Sequence, residues 1–204
     1  MQLLLVRHGE PLAARAEPGS AGADPALSER GHLQARRLAE WLGSLPERAD
    51  VVEVVTSTML RARQTAEPAR AVLDLGVDAT EVGDLVEFDH GRPEYRPVHE
   101  RDDADPDWQA IRAGEFPSFV DGAAFRARVD GAFDALARRH PGRDTVLVVC
   151  HAGVINTYLT GLLGIPRPLV FPLHHTSVSR VLVSRSGGAR VRSINETQHV
   201  DDVL

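Results

Sequence analysis

The residues best able to do chemistry stand where apolar runs stop. Leu3 to Val6 run straight into Arg7-His8-Gly9, and Val146 to Val149 run into Cys150-His151-Ala152-Gly153. A third run, Val51 to Val55, ends at Thr56-Ser57, and Arg61 and Arg63 follow. Strand carboxyl ends form the usual ligand crevice of an open α/β sheet, so His8, His151 and Arg61 are expected to meet there. Arg61 falls in the first turn of the next predicted helix, where free backbone N–H groups also favour an anion. Imidazole is a good nucleophile toward phosphorus. Arginine forks match phosphate oxygens and stay charged at any working pH. They also disfavour the imidazolium form of a neighbouring histidine. The set therefore points to phosphoryl chemistry. A proton donor is still needed for the leaving oxygen. Glu87, which opens the segment Glu87-Phe88-Asp89-His90-Gly91, is the first candidate, with Asp84, Asp89 and Glu94 as rivals.

Plainer roles compete for several of these residues. His8 or His151 alone would read as a structural histidine; their pairing with Arg7 and Arg61 weighs against that. A zinc site built from His8, His151, His174 and His175 has suitable ligands, but the arginines oppose a cation. Arg63 reads as an exposed helix residue, and Cys150 as a buried strand thiol. Either His174 or His175 could line the pocket, but a structural role is the better reading; His90 could contact substrate, but a surface position is the better reading. Trp108, Phe116 and Phe119 either line a lid or pack an insertion.

The elements that must position these groups alternate. Strands are expected at Leu3 to Val6, Val51 to Val55, Val77 to Val82 and Thr145 to Val149. A late pair, Val178 to Val183 and Ala189 to Ile194, is joined at Ser186-Gly187-Gly188. Residues 11–26, rich in Ala, Gly and Pro, read as loop. Helices are expected from Ser28, a good N-cap, to about Leu42, from Met59 to Leu73, from Phe125 to Arg139 and from Gly153 to Leu163. The stretch from Leu85 to Gly122 holds four prolines and no clean period, which suits an insertion or lid. The pattern predicts a three-layer α/β/α sandwich with a largely parallel sheet and an antiparallel edge. It fits a single domain over residues 1–204 with a lid at about 85–122.

Composition narrows the partners. The chain has 204 residues, 43% apolar and 25% charged, with a formal net charge of −6. A nucleic-acid or anionic-membrane surface is not expected at that charge, so an anion site must come from local arginines. With one cysteine no intrachain disulfide can form, and a cytoplasmic setting is the default. No basic stretch precedes the first apolar run, so a secretory leader is not expected, and no run is long enough to span a membrane. Oligomeric state is not legible.

Five stretches, in order, make the chain resemble the histidine phosphatase superfamily, the phosphoglycerate-mutase-like group. They are LLLVRHGE at the start, LSERGHLQA at Leu27 to Ala35, TSTMLRARQTAE at Thr56 to Glu67, VVCHAGVI at Val148 to Ile155, and HHTSVSRV from His174. The resemblance implies His8 as the phosphorylated nucleophile, Arg7 and Arg61 as phosphate ligands and His151 as a catalytic partner that binds the phosphoryl group. It further implies Glu87 as general acid, with no metal and no cofactor. Gly9 is expected to let backbone approach the ligand. The chain departs from the pattern twice. Many members carry an asparagine several residues after the RHG, facing the phosphate, and Pro11 to Arg15 offers none. The second glycine of a Gly-x-x-Glu-Gly element is replaced, since Gly91 and Glu94 are followed by Tyr95.

The expected activity is a metal-independent phosphatase, acting on small phosphomonoesters through a phosphohistidine. A phosphoglycerate mutase would use the same groups but return the phosphoryl group to a bound acid. A non-catalytic module binding phosphorylated ligands would keep the arginines but not need His8. The short chain favours the phosphatase.

Overall fold

The computed structural model describes residues 1–76, 78–97, 100–185 and 187–204. Its central sheet contains β1 (Gln2–Arg7), β3 (Val51–Ser57), β4 (Thr80–Val82), β6 (Thr145–Cys150), β7 (Val178–Val183) and β8 (Ala189–Glu196), in the order β4-β3-β6-β1-β7-β8. β4, β3, β6 and β1 run parallel, β7 runs against β1, and β8 against β7. The reversed strand is thus β7, one in from the edge. Val77 of the strand expected at Val77 to Val82 and Ser186 of the late turn lie outside the described residues.

Alternation along the central strands creates two apolar faces. Leu3, Leu5, Val146 and Val148 pack with Phe125, Val129, Phe133 and Leu136 of α4 (Gly122–Arg139) and with Ile155 and Leu159 of α5 (Ala152–Leu163). Leu4, Val6, Leu147 and Val149 pack with Leu38 and Leu42 of α1 (Glu29–Ser44) and with Ala62, Ala66 and Ala69 of α2 (Leu60–Leu73). The result is an α/β/α sandwich, with β1 and β6 at its centre and fully covered. Ser28 caps α1, its hydroxyl accepting from the Gly31 N–H at 3.0 Å.

Segment 85–122 carries little regular structure: β5 (Glu94–Tyr95) and α3 (Pro106–Arg112). β5 pairs with β2 (Ala14–Arg15), Ala14 opposite Tyr95, so this segment is tied to the loop that follows His8. Phe88 and Phe116 meet Phe125 edge-on, with ring centroids 6.0 and 5.4 Å away, which anchors the segment on the α4 face. Of the aromatics weighed for a lid, Phe116 packs inward, while Phe119 is 40% exposed beneath Arg92. Among the described residues no helix is long and apolar enough to cross a membrane.

Gly9 packs closely on the backbone of α1. A Cβ there would stand 2.7 Å from the Gly31 carbonyl oxygen, and one on Gly31 would run into the Glu10 carbonyl. The two glycines let the chain after His8 lie directly on the first turn of α1. Gly31→Ala should therefore cost about 1–3 kcal/mol of stability through overpacking. Gly131, exposed in the interior of α4 with open space around it, should behave oppositely. Gly131→Ala should add about 0.5–1 kcal/mol. Denaturant unfolding of the two variants beside the parent checks the pair.

Candidate active site

Register brings the histidines together. Arg7 pairs with Cys150 across β1 and β6, and the His8 N–H donates to the Cys150 carbonyl at 2.9 Å. His8 and His151 therefore leave the sheet on neighbouring strands at the same level, with ring centroids 5.1 Å apart. Both are buried. Burial, then the charges of Arg61 and its neighbours, hold both imidazoles well below their ordinary pKa, so each is neutral.

Hydrogen bonds assign the tautomers. The Gly9 carbonyl accepts from His8 Nδ1 at 2.7 Å, which leaves the lone pair on Nε2. Arg61 Nε donates to that Nε2 at 3.3 Å. Gly9 itself is held by its N–H donating to Thr65 Oγ1 at 2.9 Å, from the next turn of α2. Opposite, Ser57 Oγ accepts the Met59 N–H at 3.3 Å and lies 2.9 Å from His151 Nε2. Ser57 thereby fixes one side of the His151 ring, and His151 Nδ1 is buried without a partner among the described residues.

Each arginine keeps a donor in reserve. Arg61, 1% exposed, gives Nη2 to the Asp89 carboxylate at 2.9 and 3.2 Å and lies over the Tyr95 ring at 5.0 Å. Its Nη1 has no partner among the described residues. Burial opposes the Arg61 charge, but Asp89 and its other anionic neighbours outweigh it, and the pKa stands above its ordinary value. Arg7 donates from Nη1 to the Leu173 carbonyl at 2.5 Å and from Nη2 to His175 Nε2 at 2.9 Å, while its buried Nε is likewise unpartnered. Arg7 Nε, Arg61 Nη1 and His151 Nδ1 are thus buried nitrogens left without partners among the described residues, on residues that adjoin His8, and the two arginine N–H groups suit an oxyanion.

Glu87 lies buried at the N-terminus of α5. Its oxygens accept from the Gly153 N–H at 2.7 Å and the Phe88 N–H at 3.0 Å. Burial first, then the charge of Asp89, pushes its pKa up to about 7, against the pull of those two N–H groups and Arg61. Gly153 is required here: a Cβ would collide with Glu87 Oε1 and stand 2.6 Å from the Phe88 ring.

The other acids weighed for proton transfer have different surroundings. Asp89 is engaged with Arg61, Glu94 pairs with Arg15 and Arg96, and Asp84 is exposed. Arg63 is 45% exposed and faces Glu81 at 3.7 Å. Burial pushes the Cys150 thiol up, away from any nucleophilic role. His90 and His174 are exposed. Of the two late histidines, His175 is the one at the pocket: its ring lies 5.8 Å from that of His8 and its Nε2 accepts from Arg7. The turn that places it runs through Thr176, held in the left-handed region at φ 55°. Ser57, Thr65 and Gly153 lie inside the stretches that carry the resemblance, and Tyr95 at a departure from it, but sequence reasoning gave none of them a role. Among the described residues, no three His, Cys, Asp or Glu groups cluster so as to hold a metal ion.

Comparison with known proteins bears on this geometry. The family model described as histidine phosphatase superfamily (branch 1) matches residues 3–197. An acid phosphatase of Mycobacterium tuberculosis is 31% identical over 81% of this chain and 77% of its own. A bifunctional protein of the same organism is 29% identical over 98% of this chain, which spans only 55% of that longer relative. Other relatives carry phosphatase or probable phosphoglycerate mutase names. Among solved structures, YhfR of Bacillus stearothermophilus superposes with a TM-score of 0.76 at 26% identity, covering 98% of this chain and 99% of its own.

The two arginines of α2 give a direct test of the geometry. Arg61→Ala should weaken binding of inorganic phosphate by about 2–4 kcal/mol, the scale of a preorganised oxyanion donor. Arg63→Ala should change it by less than about 1 kcal/mol. Titration calorimetry on folded variants decides; equal losses would move the anion site off His8.

Proposed function

The chain belongs to the histidine phosphatase superfamily, branch 1, and on that footing we propose that it is a phosphatase of small phosphomonoesters working through a phosphohistidine on His8. The observation that carries the reading is the buried, neutral His8, its Nε2 lone pair facing Arg61 Nε, with unpartnered nitrogens on Arg7, Arg61 and His151. Nε2 attacks phosphorus in line as the bond to the leaving oxygen breaks. Arg7, Arg61 and His151 hold the equatorial oxygens, and little covalent work remains for the protein beyond position and charge. Glu87 gives its proton to the departing alkoxide. Water then attacks the phosphohistidine, Glu87 takes up a proton from it, and phosphate and free His8 are released. The arginine charge provides the stabilisation that a metal supplies in other phosphatases.

The covalent step has a chemical signature. Brief incubation with labelled substrate should give an acid-labile, base-stable phosphoenzyme that is missing from His8→Ala. Label retained by that variant would rule out His8.

The acid step has a pH signature. With its pKa raised to about 7, Glu87 holds its proton below that pH and loses it above. Turnover of an alkyl phosphate should accordingly fall as pH rises through about 7, because an alkoxide leaves poorly without a proton. Phosphoenzyme formation from an activated aryl phosphate should be much less sensitive. Glu87→Gln should abolish this limb and slow the alkyl substrate about 10²–10⁴-fold, while largely sparing formation of the phosphoenzyme from the aryl ester. Equal loss with both leaving groups would leave Glu87 only a structural part.

A further inference from the structure

Tyr95 is a polar group of this site that the mechanism above leaves idle. It stands on β5 with Ala14 opposite it on β2. Segment 11–15 carries no asparagine. The two departures from the family pattern thus lie in the two segments that this two-rung ladder joins. The ring lies under the Arg61 guanidinium, 5.0 Å from its central carbon, beside a cleft of about 320 Å³ that Phe88, Asp89 and Arg92 also line. Burial holds the phenol above its ordinary pKa, so it keeps its proton, and the charges of Arg61 and Arg7 both act on it. Among the described residues its hydroxyl makes no hydrogen bond.

We propose that Tyr95 is a substrate-contacting residue whose hydroxyl donates a hydrogen bond to a phosphoryl oxygen of the bound ester, supplying from β5 the contact that residues 11–15 do not. The assignment to the phosphoryl end follows from the neighbours: Arg7 and Arg61, which act on the hydroxyl, are the groups that hold those oxygens. It rests on the reading of this pocket as a phosphomonoester site. The competing role is a flat shelf for the Arg61 guanidinium, which a phenylalanine would fill as well.

Tyr95→Phe separates the two, because it keeps the ring and removes only the donor. Inorganic phosphate is the probe, titrated by calorimetry into the parent and the variant, with p-nitrophenyl phosphate turnover measured in parallel. Tyr95→Phe should bind phosphate on the order of 10- to 100-fold more weakly and lose kcat/KM in step, the usual worth of a hydrogen bond to a charged group, with an unchanged unfolding midpoint. Unchanged affinity and turnover in Tyr95→Phe, together with losses in Tyr95→Leu, would make the ring a shelf and overturn the proposal. So would a Tyr95→Phe loss accompanied by a matching fall in the unfolding midpoint. A parent chain that forms no His8 phosphoenzyme would end the phosphatase reading separately, and the phosphate titration would still judge Tyr95.

Discussion

Sealing the Arg61 guanidinium from water, at 1% exposure, obliges the fold to set an anion beside it. A lone buried cation would cost several kcal/mol. Asp89 answers that demand, and its carboxylate takes Nη2 alone, which turns Nε toward His8 and leaves Nη1 for a ligand. The same charge arrangement propagates. The guanidinium helps keep His8 and His151 neutral, and the Asp89 carboxylate adds to the burial that raises Glu87. Burial first, and this ion pair second, thus shift His8 and Glu87 in opposite directions.

That ion pair can act only because the backbone puts its neighbours in register. β1 and β6 pair in parallel up to Arg7 and Cys150, and both strands are covered on both faces by helices. A slip of one residue would turn every side chain of β1 to the wrong face and carry His8 off the level of His151. The strand ends are therefore positioned by the most deeply packed part of the molecule. Close backbone contact between Gly9 and Gly31 then keeps the chain after His8 from swinging away.

Much of this was legible in the sequence, and the reason is local. Continuous apolar runs that stop at a charged residue announce buried strands and their carboxyl ends. Arg7, His8 and His151 sit at such ends, Arg61 lies in the first turn of the helix that follows another, and Glu87 was picked as the acid opening an irregular segment. What escaped depends on contacts between distant positions. His175 reaches the site through a left-handed turn at Thr176, a conformation no residue-type pattern there suggests. Asp89 looked like a rival proton donor until its partner was visible. Tyr95 belongs to a strand of two residues whose only pairing is with residues 14 and 15, too short to leave a period. Gly9 was read correctly as a place of close approach, but the approaching group is the backbone of α1.

Gly153 carries a lesson for recognising such sites in other chains. The Glu87 carboxylate occupies the space that any side chain at position 153 would fill, so hydrogen is the only substituent compatible with the arrangement. A sequence could retain an arginine–histidine pair at the first strand, the helix arginine, the acid and the second histidine, yet lose the acid's seat through one substitution two residues beyond that histidine. A motif search would score that chain as complete. A residue that takes no part in the chemistry would then separate working copies from silent ones in a genome.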